Sequence, residues 1–150
     1  MRVLAAAAAL LVVFGAGCMG DDGNDSASFV EEADEICSDA QLAMSRVQQP
    51  QDPRDPLQLA LFLERAVPVA REQNRKLKAL ERPDDQRAQI NRWLGALDAE
   101  VDVAERMLTA ARREDSRAVQ AALQESALAS AQSRQFAQQV GLRVCGGGAA

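Results

Sequence analysis

The sequence predicts an all-α fold, an up-down-up-down four-helix bundle, and three observations carry that prediction. The helix breakers are sparse and clustered: Pro50, Pro53, Pro56 and Pro83 fall in two polar stretches, and Gly95 is the only glycine between Asn24 and Val140. Long segments without breakers therefore lie between short punctuated ones. Within those segments apolar residues recur in steps of three and four, the period of a helix face. Period-two runs of β-branched and aromatic residues, the mark of strands, are missing.

The chain opens on a leader. Arg2 supplies a positive start, Val3 to Phe14 form an uncharged apolar run, and Gly15-Ala16-Gly17-Cys18 gives small residues ahead of a cysteine. This is the layout of a secretory signal peptide over residues 1–17. The apolar run is shorter than the roughly 20 residues a membrane-spanning helix needs. Ala16-Gly17-Cys18 resembles a bacterial lipobox. In that pattern the leader is cut just before the cysteine, whose thiol is acylated. Gly15 departs from the pattern, which favours Leu, Val or Ile there. The resemblance implies lipidation at Cys18 and a mature chain anchored to the outer face of the bacterial cytoplasmic membrane. From Met19 to Ala27 the residues are small and polar, too poor in apolar groups to repay ordering. Residues 18–27 are therefore expected to be the lipidated cysteine and a flexible tether.

The first helix is expected to begin at Ser28, where Ser28 and Glu31 have the spacing of a capping box. Phe29, Ala33, Ile36, Ala40, Met44 and Val47 trace its buried face, and it ends near Gln48, ahead of Pro50. The second begins at Asp55-Pro56, a cap residue followed by proline at the first helical position. Its face is Leu59, Leu63, Ala66, Ala70, Leu77 and Leu80, with Phe62 and Val67 alongside. Pro68 lies inside and should kink the helix, because the Glu64 carbonyl loses its N–H partner. Asn74, near the inner face, is read as helix-edge packing in preference to a buried polar contact.

Asp84 is the expected cap of the third helix. Ile90, Leu94, Leu97, Val101, Ala104, Leu108 and Ala111 then step in a regular heptad-like order, flanked by Trp93 and Met107. Arg112 and Arg113 suit the C-terminal end, where the helix dipole favours cations. The fourth helix opens at Asp115 or Ser116. Its stripe is the weakest, made of Val119, Ala122, Leu123, Ala129, Phe136, Ala137 and Val140, with Ser126, Ser130 and Ser133 nearby. Gly141 is a suitable residue to end it. Residues 28–145 thus form the bundle domain, and 146–150 are expected to be a disordered tail.

Three cysteines in an exported chain leave one odd thiol. With Cys18 assigned to the lipid, Cys37 and Cys145 remain as a pair in an oxidising compartment. The bundle topology supports their union, since the early part of the first helix and the end of the fourth lie at the same end. The tether joins there too, so this end should face the membrane. The turn at Pro50–Pro53 is placed far from the membrane, and the turn at Glu114–Asp115 is placed at the other end, near it.

Two end motifs carry a family resemblance: Phe29-Val30-x-x-Ala33-Asp34-x-Ile36-Cys37, and Gly141-Leu142-Arg143-Val144-Cys145-Gly146. Leu77-Lys78-Ala79-Leu80-Glu81-Arg82-Pro83 lies between them. The chain resembles a group of small secreted proteins and lipoproteins common in actinobacteria. The resemblance implies an exported helical domain with a terminal disulfide, and it brings no catalytic residue.

The residues specify place and architecture better than chemistry. With no His and no Tyr, the Ser-His-Asp triad, Cys-His pairs and His-containing zinc and di-iron sites are excluded. A formal net charge of −5 argues against nucleic acid as a partner. Carboxylates do recur in groups, as Glu31, Glu32, Asp34 and Glu35, as Asp84 and Asp85, and as Asp98, Asp102 and Glu105. Dipole complementation and surface pairing account for them better than catalysis or calcium binding. No enzyme, metal or cofactor is called for. The expected role is a membrane-tethered binding or envelope-associated module. Trp93, with Gly95 beside it allowing close helix approach, is the candidate partner contact. The alternatives are a secreted, non-lipidated carrier of a small apolar ligand and, further off, a carboxylate-dependent enzyme.

Overall fold

A computed structural model describes residues 22–147, with side chains from Asp25 onward; the leader and Cys18 lie outside the described residues. Four helices and no strands occupy them: α1 (Asp22–Ser45), α2 (Pro56–Ala79), α3 (Arg87–Arg112) and α4 (Ser116–Val140). They pack in sequence order, α1 on α2, α2 on α3 and α3 on α4. The fold is the predicted four-helix bundle.

Local chemistry accounts for the start of α2 and for both ends of α4. The Asp55 carboxylate accepts the backbone N–H of Leu57 at 2.9 Å and of Gln58 at 3.3 Å, and Pro56 stands at the first helical position. Asp115 does the same for Ala118 at 3.0 Å. At the other end of α4, Gly141 has φ +93°, a left-handed conformation that costs an L side chain about 1–2 kcal/mol. It lets the N–H groups of Gly141 and Leu142 return to the carbonyls of Gln138 and Ala137, which closes the helix with its orphan acceptors satisfied.

Several boundaries differ from expectation. Helix α1 begins at Asp22, not Ser28, so residues 22–27 are helical where a flexible tether was expected. Ser28 does not cap; its hydroxyl donates to Glu32 at 2.9 Å, one turn on. Ser26 donates to Asp85 at 3.3 Å, which ties this first turn to the α2–α3 connection. Helix α3 begins at Arg87, and Asp84 does not cap it: the Arg87 guanidinium holds the Asp84 carboxylate instead. The chain past Cys145 is also ordered as far as Gly147. Gly146 is buried, and its carbonyl accepts from Gln138 Nε2 at 3.2 Å. Helix α2 continues through Pro68 as an unbroken helical segment.

The core has two parts. One joins Phe29, Ala33 and Cys37 of α1 to Leu77, Ile90, Trp93 and Leu94, and to Ala137, Val140 and Leu142. The other joins Leu59, Leu63 and Val67 to Met107, Ala110 and Ala111, and to Val119 and Ala122. Helix α1 contributes no buried residue to the second part. The second part also brings the start of α2, the end of α3 and the start of α4 together. The turns at 50–53 and 114–115 therefore share one end of the bundle. This corrects their expected separation, since strict alternation returns every odd-numbered connection to the same end.

Candidate functional site

The most organised polar cluster is at the end where α1 meets the C-terminal segment. Asp34 faces inward between Ala33 and Cys37 and is only 9% exposed. One of its carboxylate oxygens accepts the N–H of Val144 at 2.9 Å and of Cys145 at 3.1 Å. The other accepts the N–H of Arg143 at 3.0 Å. Three successive N–H groups converge on one anion, a backbone nest, and hydrogen bonds to a charged acceptor are the stronger kind. Gln41 adds a bond from its Nε2 to the Val144 carbonyl at 3.3 Å. The Cys37–Cys145 disulfide lies beside the clasp, with its Cα atoms 5.4 Å apart. Cys37 Sγ is 3.2 Å from Gln73 Nε2 of α2.

These contacts give physical roles to both end motifs. Phe29, Ala33 and Cys37 fill the core, Asp34 grips the returning chain, Gly141 turns it, and Leu142 is buried beneath it. Gly146 completes the turn because there is no room for a side chain: a Cβ there would come within 2.7 Å of the Leu142 carbonyl oxygen. The cluster is a clasp that holds the two ends of the domain together. Sequence reasoning groups Asp34 with its exposed acidic neighbours. Its adjacency to Ala33 and Cys37 on the apolar face was the available signal.

The candidate partner contact is corrected. Trp93 is 0% exposed and lies at the centre of the first core, so its ring offers nothing to a partner. Its Nε1 has no hydrogen-bond partner among the described residues. Helix α3 is flanked by α2 and α4, so its buried face is wider than a single heptad stripe and takes in Trp93, Val103 and Met107. Gly95 is exposed, and nothing stands within 4 Å of where a Cβ would be; no described helix approaches there.

Of the grouped carboxylates, Asp84, Asp98 and Glu105 are taken up in surface ion pairs. Asp98 pairs with Lys78 at 2.7 Å and Glu105 with Arg71 at 2.6 Å, both joining α3 to α2. Asn74 is buried and donates to Asp98 at 3.3 Å, a polar contact where packing was expected. Glu100 of α3 accepts from the hydroxyls of Ser130 and Ser133 on α4, which satisfies Ser133 in the weak stripe. Among the described residues no group of three or more acidic or cysteine side chains is placed to hold a metal ion.

The remaining distinctive surface is the seam between α1 and α2. A groove of about 290 Å³ lies there, floored by Ile36, Ala40, Ala43, Pro68 and Val69. It opens where α1 ceases to supply core residues.

Among the described residues no helix is long and apolar enough to cross a membrane. No protein-family model, curated protein or solved structure matches the chain.

Proposed function

We propose that the chain is an exported lipoprotein whose helical domain acts as a binding or envelope-associated module on the outer face of the bacterial cytoplasmic membrane. The observation that carries this reading is the Cys37–Cys145 bond. It uses two of the three cysteines and leaves the third, Cys18, at the end of an apolar leader. A disulfide suits an oxidising compartment, and an acylated Cys18 resolves the odd count. The likeness of the end motifs to small secreted proteins and lipoproteins of actinobacteria points the same way.

The anchor on this reading is short. Four residue steps separate Cys18 from Asp22, where α1 begins, a reach of about 14 Å at most. The clasped end, with the start of α1 and the α2–α3 connection, then stands close to the headgroups. The α1–α2 and α3–α4 turns point away from the bilayer.

Intact-mass measurement of the chain extracted from membranes tests the reading. A mature species beginning at Cys18 and carrying acyl chains is expected, and Cys18→Ala should leave the detergent phase. A chain that keeps its leader, or that begins elsewhere without lipid, would overturn it.

A further inference from the structure

The α1–α2 seam has the composition of a contact between two copies of this chain. Its apolar floor is bounded by three charged side chains, Asp39 on α1 and Glu72 and Lys76 on α2, of which Glu72 is already paired with Arg75 at 2.6 Å. Every ion pair among the described residues lies on α2, α3, α4 or the turn before α3, and neither Asp39 nor Lys76 takes part in one. The acids of α1, including Glu31, Glu32, Glu35 and Asp39, are thus left without cationic partners among the described residues.

Leu42 of α1, one turn beyond Asp39, is 54% exposed. Leu61 of α2, further along the same seam, is 55% exposed and stands by Phe62 and the unpaired Arg65. Ala40 and Ala43 keep the floor low, so a second backbone can come near.

We propose that this seam is an isologous self-association surface, in which Leu42 of each chain enters the groove of the other and Asp39 of each faces Lys76 of the other. An interface with two-fold symmetry must carry both halves of every contact on one patch. This patch does so, with a projecting leucine and an apolar hollow, and with an unpaired acid and an unpaired base. A cationic partner would match the acids of α1 but would meet Lys76 and Arg65 with like charge. A purely apolar ligand would leave both charges unused. The second copy is the occupant that satisfies all four features. The proposal stands apart from the lipid anchor, although tethering to one membrane would favour such an encounter by raising the effective concentration.

Sedimentation equilibrium of the full chain in density-matched detergent micelles reads the stoichiometry. A reversible dimer is expected. Asp39→Lys and Lys76→Glu should each weaken it by about tenfold, because each places like charges across the interface twice. Mixing the two variants should restore the dimer. In the heterodimer the two substituted side chains, a lysine and a glutamate, face each other in one half, and the native Asp39 faces the native Lys76 in the other. Only a contact between copies can be rescued by mixing. Leu42→Ser, at an exposed position, should weaken the dimer without loss of helical signal. A chain that stays monomeric up to about 100 µM, a dimer indifferent to all three substitutions, or a mixture that fails to recover would each overturn the proposal.

Discussion

Asp34 and Cys145 are joined twice over. The carboxylate of Asp34 accepts the Cys145 backbone N–H at 3.1 Å, while the Cys145 sulfur is bonded to Cys37, one turn further along the same helix. One bond is covalent and redox-dependent, the other electrostatic and local, and both hold the same returning segment on α1.

Removing the Asp34 carboxylate should expose how much of the clasp is electrostatic. Asp34→Ala leaves the N–H groups of Arg143, Val144 and Cys145 facing a buried void, and stranded donors of this kind cost about 1–3 kcal/mol. Urea unfolding of the oxidised protein should show a loss in that range. Asp34→Asn retains one acceptor but turns an amide N–H₂ toward donors, so it should recover less than half of the loss. A change under about 0.5 kcal/mol for Asp34→Ala would show that water replaces the carboxylate.

The disulfide closes a loop with a sequence separation of 108 residues. In the chain-entropy view a loop of that order contributes about 4–5 kcal/mol, a large share of the stability of a domain this size. The paired Cys37→Ser, Cys145→Ser variant should therefore unfold at markedly lower urea. The clasp adds a second expectation. With the bond gone, Asp34 alone retains the C-terminal segment, so Asp34→Ala should cost a different amount in the two backgrounds. A coupling of about 0.5 kcal/mol or more is expected for groups that share one segment; strict additivity would separate the two devices.

Glycines at two positions should respond in opposite directions. Gly95 lies in the middle of α3, and nothing stands within 4 Å of where an alanine methyl would sit. Gly95→Ala should therefore stabilise the protein by up to about 1 kcal/mol through helix propensity. At Gly146 the same methyl would meet the Leu142 carbonyl at 2.7 Å and Gln138 Cγ at 3.1 Å. Backbone must move there, and a loss of about 1–3 kcal/mol is expected. Thermal melts of the two variants would decide, and equal effects would contradict the packing described at the clasp.

What could be read in the sequence was what depends on near neighbours. Asp55 with Pro56, Asp115 ahead of α4 and Gly141 at its end act within a few residues, and each performs the role its local pattern indicated. Cys37 with Cys145 followed from counting and topology. The burial of Trp93 was missed because a helix between two neighbours buries more than one stripe, and the sequence of α3 alone does not say how many neighbours it has. Asp34 was missed because its partners are more than a hundred residues away. The early start of α1 has a cause of the same kind, whereas the failure of Asp84 to cap α3 is local, a competing cation three residues on. Asp85 receives Ser26 from the first turn of α1, and Asp84 is taken by Arg87. The opening of the α1–α2 seam, with α1 confined to one of two cores, has no local signature at all.

The acid limb of stability should carry the signature of Asp55. Its carboxyl is held below the ordinary value chiefly by the Gln58 side-chain hydrogen bond at 2.9 Å, with the backbone N–H groups of Gln58 and Leu57 adding to it. The folded state thus favours the ionised form more than the unfolded chain does. The resulting stability is fully present above the unfolded carboxylate pKa, and it is lost as pH falls through the lower, folded one. Asp55→Asn, which keeps an acceptor oxygen for the α2 N-terminus but cannot titrate, should flatten that part of the pH profile while preserving much of the cap. Chemical unfolding of both proteins from neutral pH down through the carboxylate range tests this. If the two curves stay parallel as the pH falls, Asp55 contributes a cap but no proton linkage.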